Sequence, residues 1–369
     1  MTVPESTVTR AIEAMRSESA IIERISRGLA NSRPFRYKVD RVRLGIGDDA
    51  AVIRAGFLAR GVLGSDDLVL SCDAFLENIH FLAKVHPPEA IGYKALARAT
   101  SDLAAMGATP QFFMLALALP PSRTGAWLDS LIKGMARAAR EFGMTLIGGD
   151  TSENATAIMN MTVGGEVAAG HALTRSGARP GDGIYVSGTL GAAQLGLELV
   201  SRGLHRDRRW KRLLEQHLRP KIQLELGKWL AGDRIRHSIA SAATDTSDGL
   251  STDLTHICEA SGVSARIFAA QIPVVSLPTS LARHRFDPLE LARHGGEDYQ
   301  LLFTVPAAHK HRIPKSFYGA PITKIGEILH AKSGRGASSI ELVGTDGKKT
   351  RLVPRGWDSF RVASRGSKR

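Results

Sequence analysis

The chain has 369 residues, 43% of them hydrophobic, which is enough for a buried core and for two domains. Its two cysteines, Cys72 and Cys258, form no CxxC pair and no zinc spacing, which excludes a disulfide framework and points to a reducing, cytoplasmic setting. The net charge of +13 raises nucleic-acid binding, but much of the excess sits in 202–221 and 355–369 with no zinc-finger spacing or RNA-binding aromatic motif beside it, so that function is not the leading one.

No apolar run is long enough to span a membrane, and the N-terminal stretch mixes acids and bases without the apolar block of a secretory signal. Residues 6–32 read as a helix, with Ile12, Met15, Ile21, Ile22, Ile25 and Leu29 at helical spacing. A short strand at 42–46 ends at Gly47, and 51–53 and 68–71 are further strand candidates. Pro87 and Pro88 start a helix that runs through Ile91, Ala95, Leu96, Leu103 and Met106 and stops at Gly107. A strand at 112–119, an amphipathic helix at 126–142 and strands at 144–147 and 159–167 follow.

The Gly-, Arg- and Pro-rich stretch 170–183 marks a domain boundary. Beyond it a second α/β unit reads as strand 184–187, helices 192–202 and 221–230, strand 240–244, helix 250–260, and strands 300–305 and 322–328. Residues 202–221 read as a solvated basic helix. The expected organisation is a helical extension over 1–38, a first domain over 39–170, a second over 171–360 and a basic tail over 361–369.

Acidic residues recur beside glycines at the ends of these elements. Converging carboxylates repel one another, so a chain that gathers them is read as holding hard cations, Mg²⁺ first, with a polyphosphate bound to those ions. GIGDDA fits G-x-G-x-x-A, but Asp48 and Asp49 stand where a pyrophosphate needs bare amides, and Ala51-Val52-Ile53 reads as strand, so the dinucleotide reading fails. The alternative for this pair is a polar turn with two exposed acids.

Ser71, the Cys72 carbonyl and Asp73 can all offer oxygen to one ion, or Asp73 can simply cap a turn. His80, next to Phe81, reads as packed. Lys94, Arg98 and Asp102 lie four apart on one helix face, a surface ion-pair stripe unless something else holds Ser101-Asp102 in a helix interior that they do not favour. Asp150 ends a strand behind Gly148 and Gly149, which let backbone approach a ligand. Asp245-Thr246-Ser247-Asp248-Gly249 repeats the pattern of strand, acidic turn and helix, and Gly295-Gly296-Glu297-Asp298 is a weaker version of it. A P-loop (G-x-x-x-x-G-K followed by Ser or Thr) is absent, as are the HRD and DFG landmarks of protein kinases. Arg175, at the proposed domain junction, is the best phosphate clamp or else an exposed loop arginine.

The order and spacing of GIGDDAAVI, SCDAFLENIHF, GYKALARATSDLAAMGATP, LIGGDTS, LTRSGARPGD, DTSDGLSTDLTHI and GGEDYQLLFT resemble the thiamine-monophosphate kinases, within the ATP-binding superfamily that includes aminoimidazole ribonucleotide synthetase. The resemblance runs from about residue 44 to 360. It implies an α/β fold of the α+β type: an N-terminal α/β domain that forms a β-barrel across a homodimer interface, and a C-terminal α/β domain. It implies in-line transfer of the ATP γ-phosphoryl group to thiamine monophosphate, with ATP held through several Mg²⁺ ions. Carried onto this chain, Asp48, Ser71, Cys72 (through its backbone), Asp73, Asp102, Asp150, Asp245 and Asp248 bind metals. Gly149, Asp150, Arg175 and Ser247 hold ATP, and His80, Glu297 and Trp357 contact thiamine monophosphate.

Asp48, Asp150 and Asp245 then carry catalysis by charge neutralisation. The chain departs from the family pattern at Cys72 (usually Thr), at Ala99 (usually Asn), in GGDTSEN for GGDTTRG and in HGGED for SGGED. Rival readings are another enzyme of the superfamily, such as a purine-pathway synthetase, or an inactive basic member that binds nucleic acid.

Overall fold

The computed structural model describes residues 20–23, 25, 42–54, 66–331 and 338–360. Of the N-terminal helix expected over 6–32, residues 20–23 and 25 are helical, and the rest lies outside the described residues, as does the tail 361–369. Residues 41–356 form one unit, and Trp357–Arg369 belong with Met1–Asp40 to another.

The N-terminal half of the larger unit builds strands β1 (Val42–Leu44), β2 (Ala51–Arg54) and β3 (Asp67–Leu76), helix α1 (Pro88–Ala105), strand β4 (Thr109–Leu119), helix α2 (Ala126–Phe142), and strands β5 (Thr145–Glu153) and β6 (Ile158–Val167). The strands form one mixed sheet in the order β1-β2-β3-β6-β4-β5, in which only β4 and β5 run parallel. In β3 the period of two buries Val69, Ser71 and Phe75 on one face. This strand is longer than the sequence suggested, so Asp73 lies inside it. Asp150 likewise lies inside β5 and does not end a strand.

Helix α1 starts with Pro88 in its first turn, and Gly107, at φ +71°, follows its end as expected. Most of its length is buried, because it is walled on several sides: by β3 and β6, by α2, and by the strand Ala242–Asp245 of a second sheet. Two glycines make the α1–α2 crossing close. A Cβ on Gly92 would sit 2.0 Å from the Leu131 carbonyl oxygen, and one on Gly134 would sit 1.8 Å from that of Glu89.

The second half comprises β7 (Gly183–Ser187), α3 (Ala192–Ser201), α4 (Lys211–Leu218), α5 (Leu224–Ala231), β8 (Ala242–Asp245), α6 (Leu250–Ser261), β9 (Ser264–Phe268), α7 (Pro288–His294), β10 (Leu301–Val305), β11 (Ser316–Phe317), β12 (Ala320–Leu329), β13 (Ile340–Val343) and β14 (Lys349–Leu352). Its sheet runs β14-β13-β9-β12-β7-β10-β8, with β11 paired to β12. The segment read as a solvated basic helix is instead two short 3₁₀ turns and α4, and it buries Trp210, Leu214 and His217. One hydrophobic core runs through both halves, from Val69 and Phe113 of the first sheet through α1 to Ala243, Leu301 and Phe303 of the second. Both thiols are free, Cys72 exposed and Cys258 buried. Among the described residues no helix is long and apolar enough to cross a membrane.

Candidate active site

An alanine-rich helix buried on nearly every side has no solvent for its polar residues, so each must find a partner in another element. The polar stripe of α1 does this. Lys94 and Arg98 do not pair along the helix surface. Lys94 Nζ donates to Glu297 Oε2 at 2.7 Å, and Arg98 Nε donates to Asp73 Oδ2 at 3.0 Å. One turn further, Ser101 Oγ donates to Asp245 Oδ2 at 2.5 Å, and Asp102 Oδ2 accepts from Ser71 Oγ. The stripe is thus the seam along which acids from β3, β8 and the loop before β10 meet.

At its C-terminal end, Asp49, Asp102 and Asp245 bring carboxylate oxygens within 4.8 Å of one another. Two full negative charges at that separation repel by roughly 3–4 kcal/mol at an effective dielectric near 20. Burial, with the Asp73 and Asp245 charges behind it, pushes the Asp102 carboxyl well above its usual range. Burial and the Asp49 charge raise Asp245 to about 7, and burial and Asp49 raise Asp48 to about 6. Asp49 Oδ2 and Asp245 Oδ1 are buried with no hydrogen-bond partner. Orphaned, hard, anionic oxygens in one small space suit Mg²⁺.

Arg175 faces the same corner. Its guanidinium pairs with Asp49 Oδ1, Nε at 3.0 Å, and its backbone N–H donates to Asp48 at 3.1 Å. Thr244 Oγ1 donates to the same Asp49 oxygen at 3.0 Å. Of the adjacent pair, Asp49 therefore enters the cluster, and Asp48 is held by backbone amides.

The loops DTSDG and GGEDY interlock. Glu297 N–H donates to the Ser247 carbonyl at 2.8 Å, Tyr299 N–H to Thr246 at 3.0 Å, and Thr246 N–H to Gln300 at 2.8 Å. Glu297 and Tyr299 take φ of +66° and +50°, strained for side chains of their size. That backbone turns three successive side chains to three different tasks. Glu297 meets Lys94. Asp298 caps the start of α3 by accepting from the N–H groups of Gly191 at 2.5 Å and Ala193 at 2.9 Å. Tyr299 is buried. Burial alone would raise the Glu297 carboxyl, but the Lys94 charge outweighs it and brings it down to about 2.

The family described as AIR synthase related protein, N-terminal domain, matches residues 47–167, and its C-terminal counterpart matches 179–337. Thiamine-monophosphate kinase of Escherichia coli (strain K12) is 40% identical over 298 residues, 78% of this chain and 84% of the relative. That of Bacillus subtilis (strain 168) is 33% identical over 327 residues, 87% and 94% of the two chains. The chain belongs to the thiamine-monophosphate kinase family. A solved structure described as AaThiL complexed with AMPPCP and TMP superposes with a TM-score of 0.76 at 30% identity, covering 93% of this chain and 97% of the other. Hydrogenase maturation protein HypE, at 22% identity and a TM-score of 0.64, shares the fold.

Within this member of the family, the residues expected at the site fall in different places. Ser71, Asp102 and Asp245 join the cluster directly, and Asp73, paired with Arg98, lies near enough for its charge to raise Asp102. Ser247 and Asp248 are half-buried in the loop after β8. The Cys72 thiol lies on the opposite face of β3, donating to Asn160 Oδ1 at 3.0 Å, so only its backbone faces the ladder. The register aligns Asp150 with Ala116, Asn160 and Ala74, on that same outer face, whereas Ser71 and Asp73 point inward. Gly149 is required by its neighbour: at φ +154° a Cβ would stand 1.8 Å from the Leu115 carbonyl oxygen.

His80 stacks on Phe75 at 5.8 Å, and its Nδ1 accepts from Leu76 N–H at 3.0 Å. Burial, then Arg98, lower its pKa to about 4. Trp357, about half exposed, belongs to the smaller unit, where its indole N–H donates to Ser359 Oγ at 3.3 Å. The sequence reading did not assign Asp49, Lys94, Arg98, His217 or Tyr299 to the site. The available signal was α1 itself, whose apolar residues leave no side for a solvated charge stripe.

Proposed function

We propose that this chain transfers the γ-phosphoryl group of ATP in line to the phosphate of thiamine monophosphate, giving thiamine diphosphate and ADP. The observation that carries the reading is the buried Asp49–Asp102–Asp245 cluster with its orphaned oxygens, in a chain of this family. Asp49, Asp102 and Asp245, together with Asp48, Ser71, the Cys72 carbonyl, Asp73 and Asp248, are the residues that would hold Mg²⁺, and Asp150, on the outer face of its sheet, is assigned to a metal on the resemblance alone. Ions held there would neutralise charge on the phosphates of donor and acceptor.

The protein's own contribution is positioning. Arg175 orients Asp49, Ser101 orients Asp245, and Ser71 orients Asp102. Arg175, Ser247, Gly149 and Asp150 are assigned to ATP, and His80, Glu297 and Trp357 to thiamine monophosphate, with the resemblance as the support for Gly149, Asp150 and Trp357. The acceptor phosphate is already anionic near neutral pH, so no strong general base is needed. Bringing two anions together is then the main barrier, and preorganised charge lowers it.

The division into modules over 39–170 and 171–360 and a cytoplasmic location belong to the same reading. So does a homodimer whose N-terminal sheets close a barrel. Edge strand β5 is exposed at every position, with Leu146 54% and Ile147 58% accessible, and such an edge invites a second copy. A monomer in sedimentation equilibrium at micromolar concentration would remove the dimer. Incubation with Mg-ATP and thiamine monophosphate, with free thiamine and aminoimidazole precursors as competing acceptors, tests the activity. Thiamine diphosphate should form from thiamine monophosphate alone, and turnover of another acceptor in its place would overturn the assignment.

A further inference from the structure

Behind Glu297 lies a chain of buried groups that the reaction as described does not use. Lys94 Nζ, 2.7 Å from Glu297 Oε2, is also 3.4 Å from His217 Nδ1, and His217 Nε2 is 3.1 Å from His86 Nε2. Lys94, His86 and His217 are all buried. Together with Phe75, His80 and Phe81 they line a small cavity. Helix α4 comes this close because α3 carries Gly196, where a Cβ would stand 2.5 Å from that of His217.

His86 Nδ1 lies 2.8 Å from the Leu82 backbone nitrogen and 3.2 Å from the Leu82 carbonyl oxygen. The Lys94 ammonium can only donate, and it faces both Glu297 Oε2 and His217 Nδ1. His217 Nδ1 itself lies 3.5 Å from Glu297 Oε2. Burial, then Lys94, hold both rings neutral, His217 down to about 3 and His86 to about 4. Lys94 and His217 converge on a single oxygen, Oε2. The Glu297 backbone is fixed at the other end by its bond to Ser247.

We infer that Lys94, backed by His217 and His86, is a positioning residue that locks one oxygen of Glu297 and leaves the other, Oε1, to accept a hydrogen bond from the phosphoryl acceptor. The group recognised is an N–H donor on a heteroaromatic ring, not a phosphate. This rests on the reading that Glu297 touches the acceptor. A lysine buried only for packing would affect both substrates alike. One that aims Glu297 affects the acceptor alone.

Steady-state kinetics on Lys94→Met, Glu297→Gln and the double variant, with thermal melts to confirm folding, test it. Lys94→Met is expected to raise KM for thiamine monophosphate by about tenfold while KM for ATP stays within about twofold. The double variant should be no worse than Glu297→Gln alone, because Lys94 acts only through that carboxylate. Lys94→Arg, which keeps the cation, should recover part of the loss. If Lys94→Met does not fold, Lys94→Gln, which removes the cation and keeps a polar group in its place, carries the same test.

An acceptor KM unchanged in Lys94→Met, an ATP KM that rises in step, or additive single effects would each overturn the inference while Glu297→Gln still weakens acceptor binding. If Glu297→Gln itself leaves the acceptor KM unchanged, the assignment of Glu297 to the acceptor falls, and the inference with it.

Discussion

The two ends of the α1 stripe sit in equally dry surroundings and solve the problem of buried charge in opposite ways. Toward the N-terminal end, Glu297 has its counter-charge built in, and the Lys94 ammonium holds it ionised. Toward the C-terminal end, three aspartates converge with one guanidinium among them, and part of their negative charge has no internal partner. The balanced end is structural in the sense that it is complete without a ligand. The unbalanced end keeps buried carboxylate oxygens with no internal partner, an arrangement that suits a cation. A carboxylate's place in a fold thus says less than the charge that faces it.

Breaking the balance at the first end should have the largest effect. Lys94→Met leaves Glu297 unpaired and is expected to cost about 3–5 kcal/mol of folding stability. Lys94→Met together with Glu297→Gln should recover most of it. Denaturant unfolding measures both, and a single variant as stable as the parent would erase the distinction between the two ends.

At the second end, removing a charge should harm catalysis and not folding. Asp245→Asn, and Asp49→Asn with it, are expected to lower kcat by about a hundredfold or more, the scale of losing an electrostatic stabiliser at ~2.7–4 kcal/mol. Without divalent ions, Asp245→Asn should melt no lower than the parent. Near-parental turnover in either folded variant refutes the metal assignment.

A pH series sharpens the contrast further. Asp48 and Asp245 have folded pKa values raised to about 6 and about 7 from an ordinary 3.8. A raised carboxyl binds its proton more tightly when folded, so its contribution is full below the ordinary value and is lost as pH rises through about 6 and 7. In EDTA the melting temperature of the parent relative to that of Asp245→Asn should therefore fall from about pH 4 to about pH 8, and Mg²⁺ should restore more of the difference at the upper end than at the lower. An equal Mg²⁺ effect across the range would mean that these acids do not bind the ion.

The smallest effect is expected at Trp357. Trp357→Ala should raise KM for thiamine monophosphate by a factor corresponding to ~0.5–2 kcal/mol, with less change in kcat, if the indole faces a cationic ring. An unchanged KM takes Trp357 out of the site.

Much of the secondary structure was legible, because proline at a helix start, glycine after a helix end and strand alternation are local signals. The start of α1 at Pro88 and its stop before Gly107 are examples. Strands β9, β13 and β14 and helix α7 were missed, since each is short and lacks a strong period. Asp102 and Asp245 were legible as candidate ligands, because acids beside Ser and Gly suggest hard-cation chemistry, whereas Asp49 was not assigned and Asp150 lies on the outer face of its sheet. Asp48 and Asp49 are neighbours with the same side chain, and only the position of Arg175 and Thr244 across the fold decides that Asp49 points inward. Lys94 and Arg98 looked like surface charges because their spacing satisfies the helix rule equally well in or out of water.

The sequence by itself determined that hard oxygen ligands gather beside glycines, and the order of its motifs placed the chain in the thiamine-monophosphate kinase family. Only the tertiary structure decided which charges are neutralised within the protein and which converge without an internal partner. The reason is that electrostatic energy depends on distance through space and on the polarisability of what lies between, and the linear order of residues specifies neither.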